Sequence, residues 1–66
     1  MNRIKEVLDQ KGIKQTWLAK ELGKSYNIVN CYSRNVRQPS LPVLFKIARI
    51  LEVSPSLLLD TEKELS

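Results

Sequence analysis

Between Glu21 and Glu52 the chain has no acidic residue, yet it carries Lys24, Arg34, Arg37, Lys46 and Arg49. A block of one sign over that length attracts a polyanion. Nucleic acid is the first partner this suggests. A merely solvated basic face is the second reading, and a membrane surface or an acidic protein is the third. The total charge of +4 conceals the pattern: residues 1–59 carry +6 and the segment from Asp60 onward carries −2. Other chemistries lack their parts. There is no histidine, and Cys31 is the only cysteine. It has no disulfide partner, no base to make it a nucleophile, and no companions for a zinc site. No glycine-rich phosphate loop is present, and no pair of carboxylates must share a cleft. The expectation is a non-enzymatic protein with no metal, no cofactor and no small-molecule ligand.

Sixty-six residues make one domain, and a 42% hydrophobic, 27% charged composition is that of a globular chain. Stability must come from packing, aided by a second copy of the chain. The longest apolar runs, Val43-Leu44-Phe45 and Leu57-Leu58-Leu59, fall far short of the ~20 residues of a membrane span. No apolar stretch follows the charged opening Met1 to Glu6, so no secretory signal is read. With a free thiol, this predicts a cytoplasmic protein with no membrane partner.

Five helices must position these residues, and no alternating run is long enough for a strand. The first runs from about Arg3 to Lys11, capped by Asn2, with Ile4, Val7 and Leu8 on one face and Gly12 at its end. The second runs from about Gln15 to Leu22, buries Leu18, Ala19 and Leu22, and stops at Gly23. Lys14 gives it no side-chain cap. The third runs from about Tyr26 to Arg34, capped by Ser25, with Val29 and Tyr32 inward and Asn35 in the left-handed position that ends it. The fourth runs from about Leu41 to Glu52, capped by Ser40, with Pro42 in its first turn and Leu44, Ile47, Ala48 and Leu51 inward. A short fifth follows Ser54 as cap and Pro55 at its first position. Residues 1–59 form the domain, and 60–66 are expected to be a polar, frayed tail. Trp17 is expected to extend the core over the first or fourth helix, because a buried Trp adds much area to a small domain.

The second and third helices are joined by Gly23-Lys24-Ser25 alone. A turn that short forces a steep crossing, the geometry of a helix-turn-helix. Ala19 lets the backbones approach, Gly23 allows the turn, and Ser25 aims the start of the third helix outward.

The string Gln15-Thr16-Trp17-Leu18-Ala19-Lys20-Glu21-Leu22-Gly23-Lys24-Ser25, then Val29, Pro39-Ser40-Leu41, Leu44 and Lys46-Ile47-Ala48, resembles the lambda-repressor/Cro type helix-turn-helix family, the XRE-like regulators. The resemblance spans about residues 3–59. It implies an all-α, five-helix DNA-binding domain whose third helix enters the major groove while the second lies across the phosphate backbone. Two departures stand out. The family often pairs an Arg near the end of the first helix with a Glu near the end of the third, and here those positions are Leu8 and Ser33. Both charges are missing together, so neither is stranded. Where the family often shows Asn-Gly-Lys, this chain has Arg34-Asn35-Val36.

On the family's pattern Tyr26 and Asn27 face base edges. Asn suits adenine N6 and N7, and Tyr suits a base, a phosphate or a thymine methyl. Ile28 and Cys31 are further base-contact candidates, each with partial burial as its rival role, and Asn30, one turn beyond Tyr26 and Asn27, is a second-tier base-contact candidate. Gln15 matches the glutamine that meets a phosphate at the start of the second helix. Lys24, Arg34 and Arg37 are phosphate candidates, whereas Lys46 and Arg49 are expected to be solvated.

These expectations describe a sequence-specific, cytoplasmic regulator of transcription that binds double-stranded DNA, at a palindromic operator, as a homodimer. Its rivals are an antitoxin-like or restriction-control regulator defined by a protein partner, and a helical interaction module with no DNA affinity. The dimer seam is expected on the fourth and fifth helices. There Val43, Ile50, Leu57 and Leu59 are apolar residues beyond what one core stripe can take.

Overall fold

The computed structural model describes residues 2–59, and five helices follow one another along them: α1 Ile4–Lys11, α2 Gln15–Leu22, α3 Tyr26–Ser33, α4 Leu41–Leu51 and α5 Pro55–Leu58. The expected tail, 60–66, lies outside the described residues. Each helix exists where apolar residues recur at spacings of three and four. The buried set is Ile4, Val7 and Leu8 from α1; Leu18, Ala19 and Leu22 from α2; and Val29 and Tyr32 from α3. To it α4 adds Leu44, Ile47, Ala48 and Leu51, and α5 adds Leu58. α2 packs most extensively on α3, and α4 packs on both α2 and α5. This is the all-α, lambda-repressor-like arrangement with its helix-turn-helix in α2 and α3. Leu8 and Ser33 are both buried, and the Ser33 hydroxyl donates to the Val29 carbonyl at 3.1 Å.

Serine side chains cap two of the five helix starts. Ser25 Oγ accepts from the Ile28 amide at 3.2 Å and Ser40 Oγ from the Val43 amide at 3.4 Å. Asn2, expected to cap α1, lies one residue too early: the helix begins at Ile4 with Arg3 at the cap position, and Asn2 Oδ1 accepts from the Ile4 amide at 3.0 Å. Lys14 gives α2 no side-chain cap, as expected. Ser54 differs. Its hydroxyl lies 2.9 Å from that of Ser56, and its carbonyl, not its side chain, accepts from Leu57. Four residues of helix leave little first turn to cap.

The helix ends share one device. α1, α2, α3 and α4 each stop at a left-handed residue: Gly12 (φ 66°), Gly23 (φ 72°), Asn35 (φ 59°) and Glu52 (φ 58°). In each case the next amide reaches back five residues: Ile13 to Leu8, Lys24 to Ala19, Val36 to Cys31 and Val53 to Ala48, at 2.9–3.0 Å. This is the Schellman closure, and half-buried Ile13 and Val53 supply its usual apolar contact. α4 was expected to include Glu52, but it ends at Leu51, because Glu52 has left helical geometry.

Glu52 carries a side chain into a conformation that disfavours one, and its negative charge sits at the negative end of α4. Glu52→Gly should therefore raise unfolding free energy by about 0.5–1 kcal/mol, and Gly23→Ala should lower it by about 1 kcal/mol. Urea unfolding followed by circular dichroism measures both. Equal stability of Glu52→Gly and wild type would remove strain at this residue.

Candidate nucleic-acid interface

The outward face of α2 and α3 is made of residues the core cannot use. In α3, Val29 is fully buried and Tyr32 nearly so, which fixes the rotation of the helix. Tyr26, 48% exposed, and exposed Asn27 are left outside the core on its first turn. Ile28 is half-buried against the core, and Cys31 is half-buried. The Cys31 carbonyl accepts two amides, from Val36 at 3.0 Å and Arg37 at 3.2 Å, which fold the following loop against the end of α3.

One row of hydrogen bonds ties the two helices together at this face. Asn30 Nδ2 donates to Gln15 Oε1 at 3.0 Å, and Arg34 Nη1 donates to Asn30 Oδ1 at 3.4 Å. Three residues singled out separately by type, Gln15, Asn30 and Arg34, thus lie in one line from the start of α2 to the end of α3. Asn30 is engaged at both ends of its amide, whereas Gln15 keeps its Nε2 donors uncommitted among the described residues. Lys24, in the turn, and Arg34 and Arg37, after α3, are exposed. Gln15 and Tyr26 also share the wall of a depression of about 380 Å³ with Lys5, Asp9, Lys14 and Thr16. Lys5 pairs there with Asp9 at 3.1 Å across exposed surface, a contact worth little to stability.

Two features were not foreseen from the residue types alone. Asn2, Asn35 and Gln38 form a closed polar cluster beside the end of α3. The Asn2 amide donates to Asn35 Oδ1 at 2.8 Å, and Asn2 Nδ2 donates to Gln38 Oε1 at 3.0 Å. Gln38 Nε2 closes the triangle by donating to Asn35 Oδ1 at 3.1 Å. Second, Trp17 is 45% exposed and not in the core as expected. It lines an open apolar depression with Gly12, Ile13 and Lys14. Helix geometry explains this. At about 100° per residue, position 17 lies a quarter turn before Leu18, away from Ala19 and Leu22.

The residues expected at a dimer seam divide. Val43, Ile50 and Leu59 are half-buried against the protein's own core, and Leu57 is exposed. Leu41 and Phe45, 62% and 53% exposed, are the more open apolar pair on α4.

Two short helices crossing at a tight turn, the second with its first turn presented outward, define a helix-turn-helix domain. The family model "Helix-turn-helix" matches residues 4–58, nearly all of the described chain. The chain belongs to this family, of the lambda-repressor type. Among solved structures, it is similar to a candidate DNA-binding protein from Bacteroides fragilis, at 45% identity and a TM-score of 0.87. That alignment covers 88% of this chain and 94% of the other. No curated protein matches. No helix among the described residues is long and apolar enough to cross a membrane.

Trp17 is the only tryptophan, so its surroundings can be measured directly. Iodide should quench its fluorescence appreciably in the folded protein, and urea unfolding should shift its emission only modestly. Emission shielded from iodide until the chain unfolds would place Trp17 in the core after all.

Proposed function

We propose that the protein is a sequence-specific binder of double-stranded DNA and acts, without catalysis, as a small transcriptional regulator in the cytoplasm. The observation that carries this reading is the division of α3. Val29 and Tyr32 anchor the helix, while Tyr26 and Asn27 stand free at its exposed N-terminal turn. An exposed first turn is the part of a recognition helix that reaches base edges in the major groove. The likeness to the Bacteroides fragilis protein supports the same reading.

In this reading Asn27 pairs with adenine N6 and N7, and Tyr26 bonds a base or packs on a thymine methyl. Ile28 and Cys31 contribute edge contacts from half-buried positions. Asn30, committed to Gln15 and Arg34, mainly braces its neighbours. Gln15 meets a phosphate with its free Nε2 donors and the positive end of α2, and Lys24, Arg34 and Arg37 meet others. Phosphate contacts fix the register, and base contacts supply the specificity.

The operator in this reading is palindromic and the protein a homodimer through α4 and α5. Leu57 supplies the exposed apolar contact, with half-buried Val43, Ile50 and Leu59 around it. A two-fold axis there would present two α3 helices one DNA turn apart, roughly 34 Å. Leu41 and Phe45 lie on the other edge of the α4 core stripe, since about 100° per residue separates them from Val43 and Ile50.

Selection of bound sites from random duplexes tests the reading as a whole, and a palindrome is the expected result. Asn27→Ala should lose ~1–3 kcal/mol on the selected site and much less on random DNA. Equal losses on both would mean that Asn27 reads no base. Arg37→Ala should weaken all duplexes alike and reduce the log–log salt slope by roughly 1. For the seam, sedimentation of an Ile50→Asp, Leu57→Asp double variant should show a monomer where the wild type is a dimer. A dimer lost in Phe45→Asp and kept in that double variant would move the seam to the other edge of α4.

A further inference from the structure

We propose that Asn2 is a positioning residue for nucleic-acid binding: it holds the 34–38 loop, and Arg37 with it, without touching the ligand. This rests on the reading that Arg37 meets a phosphate.

Asn2 is 7% exposed, and every polar group it has is engaged. Its amide donates to Asn35 Oδ1 at 2.8 Å, and its carbonyl accepts from Asn35 Nδ2 at 3.3 Å. Its side-chain Nδ2 donates both to the Tyr32 carbonyl at 2.9 Å and to Gln38 Oε1 at 3.0 Å, while Oδ1 takes the Ile4 amide. One residue therefore contacts the last turn of α3, the left-handed pivot at Asn35, the far side of the loop at Gln38 and the start of α1. Four of these five bonds reach thirty or more positions along the sequence, so the network's purpose is tertiary. Asn2 is itself held from behind by an antiparallel bridge to Leu59 and by the Arg3 amide on the Leu58 carbonyl at 2.8 Å.

The loop that results is pinned on two sides. The Cys31 carbonyl holds the Val36 and Arg37 amides, and the Asn2 cluster holds Asn35 and Gln38. The Arg37 side chain has no hydrogen-bond or ion-pair partner among the described residues, so its placement comes from the backbone alone. A guanidinium on a loose loop must order several backbone residues when it binds, and each costs free energy. Asn2 removes that cost by ordering the loop beforehand, which is preorganisation for the partner. The signals usually sought in a recognition surface, exposure and charge, are both absent from Asn2, because its action is exerted through Asn35 and Gln38.

The test uses mixed-sequence duplex DNA, because phosphate contacts are blind to sequence. Asn2→Ala removes the side-chain clamp. Asn35→Gly keeps the left-handed backbone and removes the Asn35 side-chain bonds, so it should fold even if Asn2→Ala does not. Binding is measured where circular dichroism shows each variant fully folded. The expected loss is roughly 5–30-fold for each, the equivalent of freeing one or two loop residues. Each variant is then combined with Arg37→Ala, and the combined loss should be clearly smaller than the product of the single losses. Folded variants that bind like wild type, or losses that multiply fully with Arg37→Ala, would overturn the proposal. If Arg37→Ala itself leaves affinity and salt slope unchanged, the phosphate reading of Arg37 fails and this proposal fails with it.

Discussion

The turn between α2 and α3 depends on the backbone of one residue. Gly23 takes φ 72°, its amide reaches the Lys20 carbonyl, and the Lys24 amide reaches the Ala19 carbonyl. That closure ends α2 abruptly, so that only Lys24 and Ser25 separate the left-handed residue from the first turn of α3. The crossing that follows buries Leu18, Ala19 and Leu22 against Val29 and Tyr32, and this burial sets the rotation of α3. With Val29 and Tyr32 committed inward, Tyr26 and Asn27 have no choice but to face out. The presented surface is thus a by-product of a packing decision made on the other side of the helix.

Helices of eight residues are marginal alone in water, since nucleation is costly and few bonds repay it. Their stability here is borrowed from the shared core, and their ends must be settled locally. The repeated left-handed closure does this economically: it satisfies two terminal carbonyls at each helix end and, after α1 and α4, folds the next apolar residue, Ile13 or Val53, back onto the core. Asn35 shows how one position can serve twice. Its backbone closes α3, and its side chain joins the polar cluster with Asn2 and Gln38.

Most of the framework was legible because its signals are local. Serine caps, glycine stops and three–four spacing placed the four longer helices to within a residue at each end, and every residue assigned to their core stripes is buried. The departures each have a physical origin. Trp17 was expected inward for its size, although its angular position on α2 points outward; geometry outweighed area. Three consecutive leucines cannot all face inward from a four-residue helix, so Leu58 is buried and Leu57 is not. Glu52 gave no hint of a left-handed backbone, because glutamate is not a residue that usually adopts it. The Asn2–Asn35–Gln38 cluster was illegible for a different reason. Its members are ordinary polar residues 33 and 36 positions apart, and only the tertiary fold gives them a common address.

The bridge between Asn2 and Leu59 has a topological consequence. It brings the two ends of the described chain side by side, so the domain is close to a closed ring. Polypeptide joined at either end would leave from the same spot. Such a ring can be spliced into a surface loop of a host protein as a two-stemmed insert, or permuted by linking its ends and opening it elsewhere, with every helix left where it is. Pulling on the two ends would load the bridge and the Arg3–Leu58 hydrogen bond before it strained any helix, which makes this seam the first part of the domain to part under tension.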